Sequence, residues 1–123
     1  MIEEKKRRIL VVDDHPKLLT FIGIDLKLRG YDVVSAGSGQ DALDKVNSSK
    51  PDIVLLDMIM PVIDGFEVLK TLRTYSKIPV IAFSASPANR EPAMLAGAND
   101  FMNKPFDLDD MAGKIKAFLD LKE

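Results

Sequence analysis

Five side chains that could do chemistry stand where apolar segments of this chain end: Asp13, Asp14, Asp57, Ser84 and Lys104. Three carboxylates held close together raise one another's pKa values, and a hard cation such as Mg²⁺ relieves that repulsion. A lysine ammonium and a serine hydroxyl beside them can bind a phosphoryl group, for which aspartate is an established covalent nucleophile. The set therefore indicates phosphoryl transfer at an acidic, magnesium-dependent site.

Asp57 by itself would not support that interpretation. It follows the continuous apolar run of residues 53–56, which is typical of a strand buried on both faces. A single aspartate at the end of such a strand could equally cap the next helix or close a turn. The other strand ends favour chemistry, because the carboxyl ends of parallel strands lie along one edge of a sheet, where ligands bind.

Apolar strands alternate with helical segments five times along the chain. Strands are predicted at residues 9–12, 31–36, 53–57, 78–83 and 100–103, and helices at 16–29, 38–49, 64–72, 89–97 and 107–119. Short links of this kind require a parallel sheet with right-handed crossovers and helices on both faces. Ser38 and Asp64 are predicted helix N-caps. Pro92 places the fourth helix start near Asn89, with residues 85–88 as a loop.

The first helix has more apolar residues than one buried stripe requires. They span an arc of roughly 220° around the helix axis, which favours a deeply buried helix. The alternative is that the surplus apolar face docks a partner helix.

Length and composition exclude several other classes of protein. The 123 residues suit one domain, residues 1–123, and 46% apolar residues can form a core. A net charge of −2 argues against nucleic-acid binding, and the basic residues 5–8 fit a solvated lead-in. Without cysteine and with one histidine, thiol chemistry and multi-histidine metal sites are excluded. Neither a membrane span nor a signal peptide is evident, so a cytoplasmic location is expected, although a piece of a longer chain would look the same.

The chain resembles a response-regulator receiver domain, the family of the chemotaxis protein CheY. The resemblance extends from Arg8 to the last helix and rests on residues 11–14, 56–61 with 64–65, 84–85 and 104–106. It implies a doubly wound, flavodoxin-like (βα)5 three-layer sandwich with strand order 2-1-3-4-5. It also implies a two-component phosphorelay protein that accepts a phosphoryl group from a sensor histidine kinase or phosphotransfer protein. Such a domain is not an enzyme in the ordinary sense, since it catalyses only its own phosphorylation and dephosphorylation.

The resemblance assigns a role to each residue of the acidic site. Asp57 would be the phosphoacceptor. Asp14, Asp57 and the backbone carbonyl of Ile59 would ligate Mg²⁺ directly, and Asp13 would do so through water. Lys104 would pair with Asp57 before phosphorylation and with the phosphoryl group afterwards.

The resemblance also implies a switch. Ser84 would move to hydrogen-bond the phosphoryl group as the aromatic Phe101 turns inward, although Phe101 could equally be a plain core residue. The Lys104–Pro105 peptide bond would be cis. His15 is expected to be a loop residue near the site. Neither Ile59 nor Ser86, the positions that tune phosphate lifetime in the family, can act as a base toward water, which predicts a long-lived phosphate.

Two other functions remain open from the sequence. One is a Mg²⁺-dependent phosphatase or phosphotransferase of small molecules, although 123 residues leave no room for a substrate-specificity insertion. The other is a docking module that never carries phosphate, against which the intact site argues. The output partner is unknown, an effector domain lost from a longer chain is possible, and phosphorylation-driven homodimerisation through the last two helices is expected.

Overall fold

The structure is a computed structural model that describes residues 5–120. The first and last residues of the predicted 1–123 domain, 1–4 and 121–123, lie outside the described part. The five strands are β1 Arg8–Val12, β2 Asp32–Ala36, β3 Ile53–Asp57, β4 Val80–Ser84 and β5 Asp100–Asn103. The helices are α1 Pro16–Leu28, α2 Gly39–Ser49, α3 Gly65–Arg73, α4 Arg90–Leu95 and α5 Leu108–Asp120, with a short 3₁₀ turn at Pro87–Asn89.

All five strands pair in parallel in the order β2-β1-β3-β4-β5, which confirms the predicted doubly wound sheet. The central strands β3 and β4 are buried along their whole length, as continuous apolar runs between two helical layers must be. Side chains alternate between the two faces of the sheet, so each face has its own core. One core packs under α1 and α5, and the other under α2, α3 and α4.

Local sequence signals place the helix starts correctly at two of the loops on the carboxyl edge of the sheet. Ser38 accepts a hydrogen bond from the Asp41 backbone N–H at 3.1 Å, and Asp64 accepts one from Glu67 at 2.9 Å. Both N-cap predictions are confirmed. Each cap satisfies a backbone donor that the first helical turn would otherwise leave unpaired.

The fourth βα unit differs from the prediction in β4, in the loop after it and in α4, which covers Arg90–Leu95 rather than 89–97. β4 begins at Val80 rather than at residue 78, because Pro79 has no N–H to donate to a neighbouring strand. Residues 87–89 form a 3₁₀ turn that leads into α4, where only a loop was expected. Pro92 is the third residue of α4, within the first turn, where its missing N–H leaves no intrahelical bond unmade.

The prediction that α1 is deeply buried is wrong. Ile22 and Leu26 are fully buried against the sheet, but Phe21, Ile24 and Leu28 are 59%, 56% and 84% exposed. A helix on the face of a sheet buries only the side that meets the sheet and its neighbouring helix. α1 therefore carries an apolar outer face. Among the described residues, no helix is long and apolar enough to cross a membrane.

Candidate functional site

Asp13 lies at the carboxyl end of β1 and is completely buried. Its backbone N–H donates to the Ala36 carbonyl at 3.1 Å, which continues the pairing of β1 with β2 by one residue. Its Oδ1 accepts a hydrogen bond from the His15 backbone N–H at 2.8 Å and lies 2.8 Å from His15 Nδ1. Its Oδ2 accepts a hydrogen bond from Lys104 Nζ at 2.9 Å. Asp13 therefore links the ends of β1 and β5.

Asp57 closes β3 beside Asp13 and is 2% exposed. Its Oδ1 accepts a 3.2 Å hydrogen bond from the Ile59 backbone N–H, and its Oδ2 lies 3.5 Å from Lys104 Nζ. The loop after it is closed by the Gly65 N–H, which donates to the Met58 carbonyl at 3.0 Å. This bond brings the start of α3 directly against the end of β3.

Lys104 reaches across the sheet edge between the two buried aspartates. Its ammonium is nearer to Asp13, at 2.9 Å, than to Asp57, at 3.5 Å, and it lies 5.1 Å from the centre of the Phe83 ring. Phe83 in turn packs edge-to-face on Phe106, with ring centres 5.7 Å apart. The Lys104–Pro105 bond is cis. The Phe83 ring, packed on Phe106, thus lies under a cation whose two anionic partners are both within reach.

Ser84 ends β4 and is fully buried at the same edge. Its hydroxyl oxygen accepts two hydrogen bonds, one from the Ser86 N–H at 3.1 Å and one from the Asn89 side-chain amide at 2.9 Å. Its carbonyl accepts a bond from the Lys104 N–H at 2.8 Å, so serine and lysine backbones are joined. A hydroxyl whose acceptor capacity is filled in this way still has its own hydrogen to donate.

Phe101 occupies β5 and is 4% exposed, packed in the core under α2, α3 and α4. Sequence reasoning left this residue open between a switch aromatic and a core aromatic. The structure places it as a core side chain in the present conformation, and its role as a switch stays a prediction.

The two buried aspartates have opposite electrostatics. Burial would raise the pKa of Asp13, but hydrogen bonds from Lys104 and from the backbone and ring of His15 outweigh it and hold that pKa below its ordinary value. For Asp57, burial raises the pKa and the charge of Asp13 raises it further, while the Ile59 N–H and Lys104 lower it by less. The net result is a raised pKa at Asp57. Of the two, Asp13 is stabilised as an anion by its neighbours, whereas the negative charge of Asp57 is only partly compensated.

The carboxylates fit a hard divalent cation. Ligand atoms of Asp13, Asp14, His15 and Asp57 all lie within 4.8 Å of one another. Asp14 Oδ1 is buried and, in the described part of the chain, accepts no hydrogen bond. A group of carboxylate oxygens, one of which has no hydrogen-bond partner, suits Mg²⁺. This ion binds proteins through one or two carboxylates and keeps several waters. The carbonyl of Ile59 as a further ligand stays a prediction; the side chain of this residue is 56% exposed.

Two residues beside the site make contacts that the sequence did not predict. His15 was expected merely near the site, yet its ring contacts Asp13 directly and stands 3.3 Å from Asp14. The hydrogen bond with Asp13 and the negative charges of Asp13 and Asp14 raise the pKa of His15. Asn89 was expected only to start a helix, yet it holds the Ser84 hydroxyl. Adjacency to the acids was a usable signal for His15, whereas no local pattern marks Asn89.

The sequence profile of the response regulator receiver domain matches residues 9–116 of the chain. Among curated proteins, the chain is 36% identical over 116 residues to the alkaline phosphatase synthesis transcriptional regulatory protein PhoP of Bacillus subtilis, covering 92% of this chain and 48% of that protein. It is 38% identical over 111 residues to the transcriptional regulatory protein KdpE of Mycobacterium tuberculosis, covering 89% of this chain and 49% of that one. The chain thus spans about half the length of these relatives.

Solved structures share the fold over nearly the whole chain. The receiver domain of Francisella response regulator 1452 superposes with a TM-score of 0.90 at 30% identity, covering 96% of this chain and 100% of that one. The response regulator TrrA of Thermotoga maritima, solved in complex with Mg²⁺ and BeF, has a TM-score of 0.84 at 33% identity, with coverage of 91% and 98%.

Proposed function

Because the chain belongs to the response regulator receiver domain family, we propose that Asp57 is the residue that accepts its phosphoryl group and that the reaction requires Mg²⁺. Receiver domains of this family serve two-component signalling. The observation that carries the residue assignment is the meeting of Asp57, Asp13, Asp14 and Lys104 at one edge of the sheet. No other set of titratable side chains in the described part of the chain combines a buried carboxylate with both a cation and neighbouring acids.

The chain's own residues account for the transfer step. A carboxylate oxygen of Asp57 forms the bond to phosphorus while the bond from phosphorus to the donor breaks, giving an aspartyl phosphate. Mg²⁺, held by Asp13, Asp14 and Asp57, would offset charge on the phosphoryl oxygens. Lys104 moves toward the phosphoryl group from Asp13, a shift favoured by its present position between both aspartates. Ser84 donates its free hydroxyl hydrogen to a phosphoryl oxygen.

The outer face of α1 supports a helical phosphodonor protein as the partner. Phe21 and Ile24 are more than half exposed and line a shallow groove with Pro16, Lys17 and Thr20. α1 starts at Pro16, two residues beyond Asp14, so a helix docked on this face would lie next to the acidic site. A sensor histidine kinase or a phosphotransfer protein that docks a helix here would bring its phosphohistidine toward Asp57. Exposed apolar faces of this kind are typical of helix-docking surfaces.

Phosphorylation at Asp57 would change binding to an output partner. Two curated relatives are named transcriptional regulatory proteins, and the chain covers about half of each. An output through an effector region or a separate protein is therefore proposed, and the domain catalyses only its own phosphorylation and dephosphorylation.

The direct test is intact-mass measurement after incubation with Mg²⁺ and acetyl phosphate. The wild type is expected to gain the mass of one phosphoryl group, and Asp57→Asn is expected to gain none. Asp120→Asn, an exposed aspartate at the end of α5, is the matched control and is expected to behave as wild type. Addition of a chelator should abolish the gain. An unchanged mass with every donor, or steady turnover of small phosphate esters, would contradict the proposal.

The lifetime of the aspartyl phosphate is expected to be long, because Ile59, whose backbone N–H donates to Asp57, has an apolar, exposed side chain that cannot position an attacking water. Ile59→Asn is expected to shorten the half-life severalfold, since an amide can orient the attacking water. Val62→Asn, in the same loop and 99% exposed, is the control. Loss of phosphorylated protein after donor removal gives the half-life. A wild-type half-life of seconds, or equal effects of both variants, would contradict the role of Ile59.

A further inference from the structure

The ring of His15 points its Nδ1 atom into the acidic site. Nδ1 lies 2.8 Å from Asp13 Oδ1 and 3.3 Å from Asp14 Oδ1. Both carboxylates belong to the acidic cluster, and one of these oxygens, Asp14 Oδ1, is buried without a hydrogen-bond partner in the described residues. The imidazole nitrogen is therefore a fourth donor directed at the cation position.

The four donors are close enough to share one ion. They lie within 4.8 Å of one another. Ligands about 2.1 Å from a metal are up to ~4.2 Å apart when they face each other across it. The spread of the four atoms is close to this distance, so modest side-chain movements can bring them onto a single ion. The His15 side chain is 68% exposed, so its ring has room to make that adjustment.

Capping of α1 does not explain the position of the ring. His15 occupies the N-cap position, but its side chain makes no capping hydrogen bond to the helix. Its backbone N–H, not its ring, makes the local turn by donating to Asp13 at 2.8 Å. The ring adds a second contact to the same carboxylate. In the metal-free protein Nδ1–H donates to Asp13. A metal ion would replace this hydrogen bond, and with the proton then on Nε2, Nδ1 can offer its lone pair to the ion.

We propose that His15 is a nitrogen ligand of the acidic site and that it gives this domain selective affinity for imidazole-binding divalent ions such as Ni²⁺, Co²⁺ and Zn²⁺. The inference rests on the metal site of the proposed function and deepens it. Mg²⁺ prefers oxygen ligands and water, so it gains little from an imidazole. Ni²⁺, Co²⁺ and Zn²⁺ bind imidazole well and would use the aspartates and His15 together.

The experiment is calorimetric titration of the untagged protein with Ni²⁺ and, separately, with Mg²⁺. His15→Ala is expected to weaken Ni²⁺ binding by about tenfold or more, at least the loss typical of removing an outer partner of a metal ligand. Mg²⁺ affinity should stay within about twofold, because oxygen ligands carry it. Asp14→Asn, as a reference variant, should weaken both ions. Thermal unfolding of each variant without metal checks that the fold is retained.

A second readout reports the imidazole itself. His15 is the single histidine of the chain, so the side-chain nitrogen resonances in an imidazole ¹⁵N spectrum belong to it without ambiguity. Zn²⁺ is expected to move the Nδ1 resonance most, and Mg²⁺ is expected not to mimic that change.

The outcomes separate the two proposals. Equal Ni²⁺ affinity in wild type and His15→Ala, or an Nδ1 resonance that Zn²⁺ leaves in place, would overturn the role of His15 while the magnesium site stands. Parallel losses of Ni²⁺ and Mg²⁺ in His15→Ala would also overturn it, since the ring would then only position Asp13. Wild-type protein that binds neither ion, or binding that Asp14→Asn leaves unchanged, would instead refute the metal site of the proposed function.

Discussion

Gly65→Ala is expected to lower the free energy of unfolding by about 3 kcal/mol or more, at or beyond the upper end of ordinary overpacking. A Cβ atom at this position would overlap the Asp57 carbonyl oxygen and would lie 2.6 Å from the Met58 Cα. Both are backbone atoms, so the clash cannot be relieved by a side-chain rotation. Either α3 or the end of β3 must move, and Asp57 would move with it.

Urea unfolding and phosphorylation by acetyl phosphate measure the two consequences of this change. The variant is expected to unfold at lower urea and, in the fraction that stays folded, to incorporate phosphate more slowly. Gly113→Ala is the matched control, because this glycine is exposed in α5 and its added Cβ would meet nothing within 4 Å. It should stabilise the protein by about 0.5–1 kcal/mol. Similar stabilities for the two variants would refute the close approach of α3 to β3.

Asp13→Asn and Asp57→Asn are expected to change stability in opposite directions in the absence of divalent ions. Asp13→Asn removes the charge that Lys104 and His15 contact, and it should cost about 3 kcal/mol, as breaking a buried ion pair does. Asp57→Asn removes a carboxylate whose burial is poorly compensated. It should raise the melting temperature by a few degrees, or ~1 kcal/mol.

The pH dependence of these two effects also differs in sign. The pKa of Asp13 is lowered in the folded state, so its stabilisation is present above the ordinary value of 3.8 and is lost as pH falls through the folded pKa. The pKa of Asp57 is raised, so its ionisation destabilises the fold at neutral pH, and the penalty disappears as pH falls through that raised pKa. The advantage of Asp57→Asn should therefore shrink on acidification before the deficit of Asp13→Asn does.

Urea titrations at several pH values between 7 and 3, with a chelator present, test this order. Two variants that are both destabilising at neutral pH, or whose differences from wild type fade together, would contradict the assignment of Asp13 as the compensated anion. The predicted contrast does not depend on phosphorylation, so it checks the electrostatics of the site separately from its function.

The sequence was sufficient for the strand-end residues because their position follows from topology. Once residues 53–56 indicate a buried parallel strand, Asp57 must emerge at the same edge as Asp13 and Ser84. The N-caps at Ser38 and Asp64 were predictable for a similar reason, since each bonds to a backbone group only three residues away. The shared edge follows from the parallel arrangement of the strands, and the caps follow from local hydrogen bonding.

Features that depend on what covers an element could not be predicted in the same way. The spacing of apolar residues in α1 does not show whether the sheet or solvent faces each of them. Phe21 and Leu28 were therefore expected to be buried. The preference of Lys104 for Asp13 over Asp57 depends on side-chain paths between β5 and β1. The contact of Asn89 with Ser84 depends on the 3₁₀ turn, which the two prolines of that segment obscured.

The bond between Asn89 and Ser84 ties a hydroxyl group to the turn that precedes α4. Because the hydroxyl oxygen of Ser84 already accepts hydrogen bonds from Ser86 and Asn89, the hydroxyl can donate a further hydrogen bond but has no free acceptor site. A phosphoryl group at Asp57 would draw the hydroxyl toward itself. The side-chain amide of Asn89 must then either move with the hydroxyl or lose its hydrogen bond to it. If the 2.9 Å hydrogen bond persists, movement of the Ser84 hydroxyl displaces the 3₁₀ turn that leads into α4. If the bond breaks, the turn is released from the site.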